Sequence, residues 1–123
     1  MNILILGAGQ VGSTTATQLA KEDDNEVTVV DIDPEKLTKL ASRVDLQTIE
    51  GNAAFPETLQ QSGAETADML IAVTSSAEVN MIACQIASTL FNKQKKIARI
   101  RAQEYSENTE LFCKTNQPVT YYN

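Results

Sequence analysis

The chain of 123 residues contains no histidine and no tryptophan, and it has only two cysteines. Histidine is the commonest general acid or base near neutral pH and the commonest protein ligand of zinc and copper. Cys84 and Cys113 stand too far apart for a CxxC or CxxH motif, so we expect both thiols to stay reduced. We therefore predict no catalytic residue and no metal site.

Clustered cations and long apolar runs are also missing. Ten Lys and Arg residues face sixteen Asp and Glu residues, which gives a formal net charge of -6. Binding to nucleic-acid phosphates needs clustered cations, and the only tight cluster is Lys93, Lys95 and Lys96. No apolar run approaches the roughly 20 residues of a membrane span, and the N-terminus lacks a signal-peptide pattern. We expect a soluble, cytoplasmic chain that binds no nucleic acid and does not insert into a membrane.

Length limits the chain to one folded unit. A globular chain of this size buries roughly two thirds of the surface that its unfolded form exposes, which supports one hydrophobic core but not two. A cofactor domain followed by a substrate domain does not fit. We therefore predict a single domain over residues 1–123.

Short apolar runs alternate along the chain with segments of helical length. Strands are predicted at residues 2–6, 26–32, 46–50, 69–74 and 96–101. Residues 118–122 are too short to assign. Strict alternation predicts an α/β fold of three layers, in which a doubly wound parallel sheet carries helices on both faces. The predicted strand order is 3-2-1-4-5, extended by a sixth strand if residues 118–122 form one.

Helices are predicted in the connections: residues 10–22, a helix from Pro34 with Asp33 as N-cap, a short one holding Phe55 and Leu59, and a weaker one at residues 104–114. After the fourth strand, Ser75 and Glu78 have the spacing of a capping box. The helix at residues 76–91 that they open is apolar almost all round. We therefore predict that this helix is buried.

The turn after the first strand carries a GxGxxG motif, which consists of Gly7, Ala8, Gly9, Gln10, Val11 and Gly12. Asp31 ends the second strand, at about the twenty-residue separation expected of a Rossmann-like dinucleotide fingerprint. Gly7 permits a tight turn, Gly9 lets the backbone approach a pyrophosphate, and Gly12 allows close helix packing. The N-terminus of the helix offers unpaired N–H groups to the phosphates.

The acidic residue of this fingerprint limits the choice of ligand. Asp31 would accept hydrogen bonds from the adenosine ribose hydroxyls, and its charge would repel a 2'-phosphate. The next residue is Ile32 where an NADP site would favour Arg. NADP is therefore disfavoured relative to NAD or NADH. ATP, ADP and AMP carry the same adenosine, so Asp31 does not separate them from NAD. We also expect Asp31→Ala to leave the fold intact, as for a carboxylate that faces solvent.

Six segments along the chain resemble a known family. They are ILGAGQVG, VVDID, EGNA, MLIAVT, EVNMIACQIA and ARIRAQEY. In this order they resemble the N-terminal nucleotide-binding domain of the regulators of potassium conductance, most closely the members found in bacterial Trk potassium uptake systems. The resemblance covers nearly the whole chain. It implies a domain that binds NAD or an adenine nucleotide and gates potassium flux through a membrane partner, without catalysis.

The resemblance also implies roles for individual residues. The three glycines of the motif would hold phosphate, Asp31 would hold the ribose, and Asn52 with Ala53 would lie beside the adenine. Asn52 departs from the Asp that is usual there. An amide both donates and accepts hydrogen bonds, which suits an adenine edge, but a polar turn residue after Gly51 is an equal interpretation.

The later candidates follow the fourth and fifth strands. Thr74 ends the central strand, where its backbone or hydroxyl would meet the nicotinamide side or a terminal phosphate. Asn80, in the next helix, has no evident structural task and is predicted as a contact. Arg99 and Arg101 alternate onto one face of the last strand, where they would bind phosphate. An ion pair, for example with Glu104, is the alternative.

Three functions fit these features. The first is a nucleotide sensor that forms a homo-oligomer, a dimer or a higher ring, and controls an integral membrane potassium transporter from the inner face of the membrane. The chain would then be a fragment of a longer regulatory subunit. The second is the cofactor domain of an NAD-dependent oxidoreductase, because one fold serves many functions. The third is a structural dimerisation module, which would leave Asp31 and the glycines without a task.

Overall fold

The computed structural model describes residues 1–91 and the backbone of residues 96–99 and 119–122. The strands within this part are β1 (Asn2–Leu6), β2 (Glu26–Asp31), β3 (Gln47–Glu50), β4 (Met69–Ala72), β5 (Lys96–Arg99) and β6 (Val119–Tyr122). The helices are α1 (Gln10–Ala20), α2 (Pro34–Ala41), α3 (Pro56–Gln61) and α4 (Ala77–Leu90). The predicted alternation of strands and helices is confirmed in the described residues.

All six strands pair in parallel, in the order β3-β2-β1-β4-β5-β6. This confirms the predicted order, and the segment that was too short to assign forms the edge strand β6. Leu6, the last residue of β1, pairs with Val30 of β2 on one side and with Ala72 of β4 on the other. The chain turns one way after β1 and the other way after β4, so a crevice opens between their carboxyl ends.

The strands are buried on both faces because side chains alternate across the sheet. One face packs against α1 and α2 and includes Ile3, Ile5, Ala16, Val27, Val29, Leu37, Leu40, Ile71 and Val73. The opposite face packs against α3 and α4 and includes Leu4, Leu6, Val30, Leu59, Leu70, Ala72, Met81, Cys84 and Ala87. Apolar residues at both odd and even positions thus explain why these runs are continuous.

Several boundaries differ from the predictions. Helix α4 begins at Ala77 with Ser76 as N-cap, so the capping box placed on Ser75 is wrong. Ser76 Oγ accepts from the Val79 N–H at 3.2 Å. Because Ser75 and Ser76 are adjacent, the sequence alone does not show which of them caps the helix. The prediction of a buried helix is wrong for one face of α4, where Ile82 is 47% and Leu90 60% exposed.

Smaller differences occur at the other ends. Phe55 is the exposed N-cap of α3 and not part of the helix, and α1 ends two residues early, at Ala20. The fourth strand ends at Ala72, two residues before its predicted end at Thr74, although the N–H of Val73 still donates to the carbonyl oxygen of Leu6. Arg101, the predicted helix at 104–114 and Cys113 lie outside the described residues. Within residues 1–91, the helices are too short and not apolar enough to cross a membrane.

Candidate functional site

A cleft of about 490 Å³ opens at the carboxyl ends of β1, β2 and β4. It is lined by Gly7, Gly9, Gln10, Val11, Val30, Asp31, Ile32, Asp33, Lys36, Gly51, Asn52, Ala53, Val73, Thr74, Ser75, Ser76 and Val79. The turn before α1 forms its centre, β2 and β3 form one end, and the segment after β4 forms the other. Its place is the switch point where ligands bind in open α/β sheets.

Two of the three motif glycines are required by the fold itself. Gly7 has φ +116°, and a Cβ there would lie 2.8 Å from the Val73 carbonyl oxygen. At Gly12, a Cβ would lie 1.8 Å from the carbonyl oxygen of Gly7, far inside van der Waals contact. These two residues make the tight turn and allow α1 to start directly against it, as the motif predicts.

At the third glycine of the motif, nothing in the described part of the fold requires a residue without a side chain. Gly9 has an extended backbone with φ -73° and ψ -164°, and a Cβ there would have no neighbouring atom within 4 Å. The space that a side chain would fill belongs to the cleft. The missing Cβ therefore opens room in front of the first turn of α1.

The N-terminus of α1 is the least neutralised among the described helices. Gly9 supplies no capping side chain, and the first turn of α1 contains no acidic residue. By contrast, Asp33 caps α2 and Ser76 caps α4, and Glu57 lies in the first turn of α3. The N–H groups that begin α1 and the positive end of its dipole are thus directed into the cleft without a partner from a capping side chain.

Asp31 is bound into the site and does not simply face solvent. Its Oδ2 accepts from the N–H of Ala8 at 2.7 Å, and its Oδ1 accepts from the N–H of Asp33 at 2.8 Å. The carboxylate thus joins the glycine turn to the start of α2. The premise that this carboxylate simply faces solvent is wrong, and Asp31→Ala would leave the N–H of buried Ala8 without this acceptor. Each oxygen keeps one lone pair for a ribose hydroxyl.

Asn52 performs the turn role that was one of its two interpretations. Its Oδ1 accepts from the N–H of Ala54 at 2.8 Å, directly after β3. Asn52 and Ala53 also line the end of the cleft nearest Asp31. The bond to Ala54 fixes which way the amide points, and the amide nitrogen can donate to a ligand acceptor such as an adenine ring nitrogen.

Thr74 and Asn80 form a hydrogen-bonded pair at the other end of the cleft. Asn80 is only 1% exposed, and its Oδ1 accepts from both the N–H (2.9 Å) and the hydroxyl (2.7 Å) of Thr74. Asn80 Nδ2 donates to the carbonyl oxygen of Thr74 at 3.2 Å. The interpretation that Asn80 lacks a structural task is wrong. It does not line the cleft, and its predicted contact with a ligand stays a prediction.

Most of the predicted site residues are brought together by the fold. The lining includes Gly7, Gly9, Gln10, Val11, Asp31, Ile32, Asn52, Ala53 and Thr74. Ala8 and Gly12 lie behind this surface and shape the turn. The side chains of Arg99 and Arg101 lie outside the described residues, so their predicted contact with phosphate stays a prediction.

The sequence interpretation missed lining residues that belong to helix N-termini. Lys36 is in the first turn of α2, and Val79 is in the first turn of α4. Helical side chains tilt toward the N-terminus of their own helix, and here that direction is the carboxyl edge of the sheet. This tilt was the available signal. Lys36 is the one cation among the lining residues that the structure describes.

Solved structures with less than 25% identity share this fold. The TrkA-N domain of the inner membrane protein ybaL from Escherichia coli has a TM-score of 0.80 at 23% identity, covering 98% of this chain and 86% of that one. The AMP-bound Kef CTD from Shewanella denitrificans has a TM-score of 0.74 at 18% identity, covering 96% and 72%. The GsuK channel bound to NAD has a TM-score of 0.74 at 20% identity, covering 97% of this chain and 21% of that one.

The family and its curated relatives agree with the fold. The Trk system potassium uptake protein TrkA of Halomonas elongata is 52% identical over 119 residues, covering 97% of this chain and 26% of that protein. TrkA of Vibrio alginolyticus is 47% identical over 122 residues, covering 98% and 26%. This chain thus spans about a quarter of the length of these relatives. The family model described as the TrkA-N domain matches residues 3–115, which confirms the resemblance of the six segments, and the chain belongs to this family.

Proposed function

We propose that this chain is a nucleotide-sensing domain that regulates potassium uptake. One observation carries the proposal: the uncapped start of α1 faces a space kept open at Gly9, with the carboxylate of Asp31 bound to the same turn. N–H groups suit a pyrophosphate, and a neighbouring carboxylate suits the ribose hydroxyls of adenosine. These are the two ends of an adenine nucleotide.

The ligand is an adenine nucleotide with unmodified ribose hydroxyls. NAD or NADH, ATP, ADP and AMP all meet this requirement, whereas the 2'-phosphate of NADP would approach the Asp31 and Asp33 carboxylates. Two proteins of the same fold are described as bound to AMP and to NAD. In this chain the adenine would lie toward Asn52 and Ala53, and the phosphates would lie before Gly9 and Gln10.

The charges in the cleft favour binding over catalysis. Its ionisable lining residues among those described are Asp31, Asp33 and Lys36, and all three belong to the β2 end. The opposite end, where a nicotinamide would lie, has Val73, Thr74, Ser75, Ser76 and Val79. These described residues include no carboxylate, lysine or histidine that could transfer a proton to or from a substrate there. We therefore favour a non-catalytic sensor over the cofactor domain of an NAD-dependent oxidoreductase.

Regulation requires more than binding. A ligand shifts an equilibrium only by the difference between its affinities for two arrangements, typically about 1–3 kcal/mol. We propose that paired copies of this domain supply the two arrangements, and that an integral membrane potassium transporter responds to them at the inner face of the membrane. The sequence relationship to potassium uptake proteins supports this assignment.

Binding is tested by thermal unfolding with added nucleotides. A ligand at a hundred times its dissociation constant adds about 2.7 kcal/mol of stability, which raises the unfolding temperature of a domain this size by about 10 °C. We expect this rise with NAD, NADH or an adenosine phosphate at millimolar concentration, and a smaller one with NADP. Unchanged unfolding temperatures with all of them would contradict the proposal and favour a purely structural module.

Regulation is tested with a chimera. This chain replaces the 119-residue matching segment of the Halomonas elongata TrkA protein in a strain that lacks its own TrkA. We expect growth at limiting potassium to be restored, because about half of the aligned residues are identical. The control is the same chimera carrying Gly9→Val, which should fail to respond to nucleotide. Equal growth of both chimeras would separate potassium uptake from nucleotide binding and contradict a sensor.

A further inference from the structure

Both polar hydrogen atoms of Thr74, on its backbone N–H and on its hydroxyl, have acceptors within the protein. Its N–H donates to Asn80 Oδ1 at 2.9 Å. Its hydroxyl has one hydrogen, and the two acceptors in reach are Asn80 Oδ1 at 2.7 Å and the Ser76 carbonyl oxygen at 3.1 Å. Both acceptors belong to the fold. Thr74 therefore lines the cleft without a hydrogen to offer to a ligand.

The orientation of the Asn80 amide is fixed by this arrangement. Reversing it would place Nδ2 against the N–H of Thr74 and Oδ1 against the Thr74 carbonyl oxygen, with two mismatched contacts. Asn80 is 1% exposed, so water does not replace these bonds. The pairing also holds α4 to the end of β4, because the N–H of Ser76 donates to the Thr74 hydroxyl at 3.2 Å.

Thr74 retains acceptor capacity on the side of the cleft. Among the described residues, its hydroxyl oxygen accepts from Ser76 alone and has a second lone pair, and its carbonyl oxygen accepts from Asn80 Nδ2 with one lone pair remaining. The neighbouring lining residues that the structure describes do not change this acceptor character. Val73 and Val79 are apolar, Ser76 Oγ lies 3.2 Å from Glu78 Oε2, and Ser75 is exposed to water.

We propose that Thr74 is a specificity residue that accepts a hydrogen bond from the ligand, and that Asn80 is the positioning residue that keeps it an acceptor. The matching ligand group is a donor, such as a ribose hydroxyl or the carboxamide NH₂ of a dinucleotide. A terminal phosphate offers only acceptor oxygens and gains nothing at this position. The inference rests on the proposed function, because it requires the phosphates to lie at α1.

The experiment is a set of calorimetric titrations of the chain with NAD, ADP and ATP. Thr74→Val removes the hydroxyl and keeps the shape of the side chain. We expect it to lower the affinity for NAD about fivefold and to change the affinities for ADP and ATP by less than about twofold. Thr74→Ser keeps the hydroxyl and should retain the affinity for NAD. Equal weakening of all three ligands by Thr74→Val would overturn the assignment.

The role of Asn80 is tested by Asn80→Leu, which keeps the branching and the number of non-hydrogen atoms of the side chain and makes no hydrogen bond. The N–H of Thr74 then loses its acceptor, and its hydroxyl, left among the described residues with only the Ser76 carbonyl oxygen at 3.1 Å, can turn to donate to a ligand. The ratio of the ATP to the NAD dissociation constant should therefore fall about tenfold. A parallel change for both ligands in the folded variant would overturn the positioning role. If Asn80→Leu does not fold, the pair Thr74→Val and Thr74→Ser decides.

The outcomes separate this inference from the proposed function. If the unsubstituted chain binds neither NAD nor adenosine phosphates, both are wrong. If it binds them and the Thr74 variants alter every affinity alike, the sensor proposal stands and the acceptor role of Thr74 is wrong. A loss of affinity confined to NAD supports both the sensor proposal and the acceptor role of Thr74.

Discussion

Gly12→Ala is expected to lower the free energy of unfolding by about 3 kcal/mol or more. Inside a helix, alanine is ordinarily more stable than glycine by about 1 kcal/mol, so the intrinsic preference favours the substitution. Here the new Cβ would lie 1.8 Å from the carbonyl oxygen of Gly7. That oxygen belongs to the backbone of a turn at φ +116°, so it cannot move aside without shifting the end of β1. Urea unfolding followed by circular dichroism measures the loss.

Gly9→Ala is the matched control, because it adds the same methyl group three residues earlier. In the part of the chain that the structure describes, no atom lies within 4 Å of a Cβ at Gly9, and the extended backbone suits an L-residue. We expect its free energy of unfolding to stay within about 1 kcal/mol of the unsubstituted chain, the cost of a poorer N-cap. Equal losses at the two positions would show that the turn is not held as the structure describes.

The two ends of the cleft differ in the groups that they present. The β2 end carries the Asp31 and Asp33 carboxylates, whereas the β4 end has no ionisable group among its described lining residues. Between them lies the start of α1, which has no cap or acidic residue to neutralise it. A nucleotide has the same order of groups along its length: ribose hydroxyls, then phosphate, then a second group. If the proposed nucleotide binds here, this asymmetry would distinguish the two directions in which it could lie.

The sheet was predictable because its strands are buried on both faces. The first and fourth strands are almost entirely apolar and the second is rich in valine, and this pattern arises when helices cover both sides of a parallel sheet. The position of the cleft then follows from strand order alone, since a GxGxxG turn lies at the switch point. Only the edge strand β6, with the sequence VTYY, was left unassigned.

The polar details were less predictable because they depend on contacts between distant segments. The Asp31 carboxylate reaches Ala8, 23 residues away, and Asn80 reaches back across six residues to the end of β4. A sequence pattern predicts that Asp31 ends a strand, but it does not predict that a distant backbone N–H will donate to its carboxylate. Ser76, the N-cap that the sequence did not single out over Ser75, is likewise bonded through its N–H to the hydroxyl of Thr74.

Asp31 is for this reason a poor position for isolating the contribution of the ribose. Its carboxylate binds the N–H of Ala8 and of Asp33, so a variant would disturb the glycine turn together with the ligand. The phosphate position offers a cleaner test. At Gly9 the protein makes no use of the space in front of the backbone, and a side chain there would touch the ligand alone.

Gly9→Val is expected to abolish nucleotide binding while the unliganded fold remains intact. The isopropyl group would occupy the space in front of the first N–H groups of α1, so affinity should fall at least about a hundredfold, equivalent to about 2.7 kcal/mol. The ligand-induced rise in unfolding temperature measures this loss, and Gly9→Ala should give an intermediate one. Thr14→Val, on the exposed face of the same helix and outside the cleft, controls for the substitution itself. Undiminished binding by Gly9→Val would place the phosphates elsewhere and remove the main support for a sensor at this cleft.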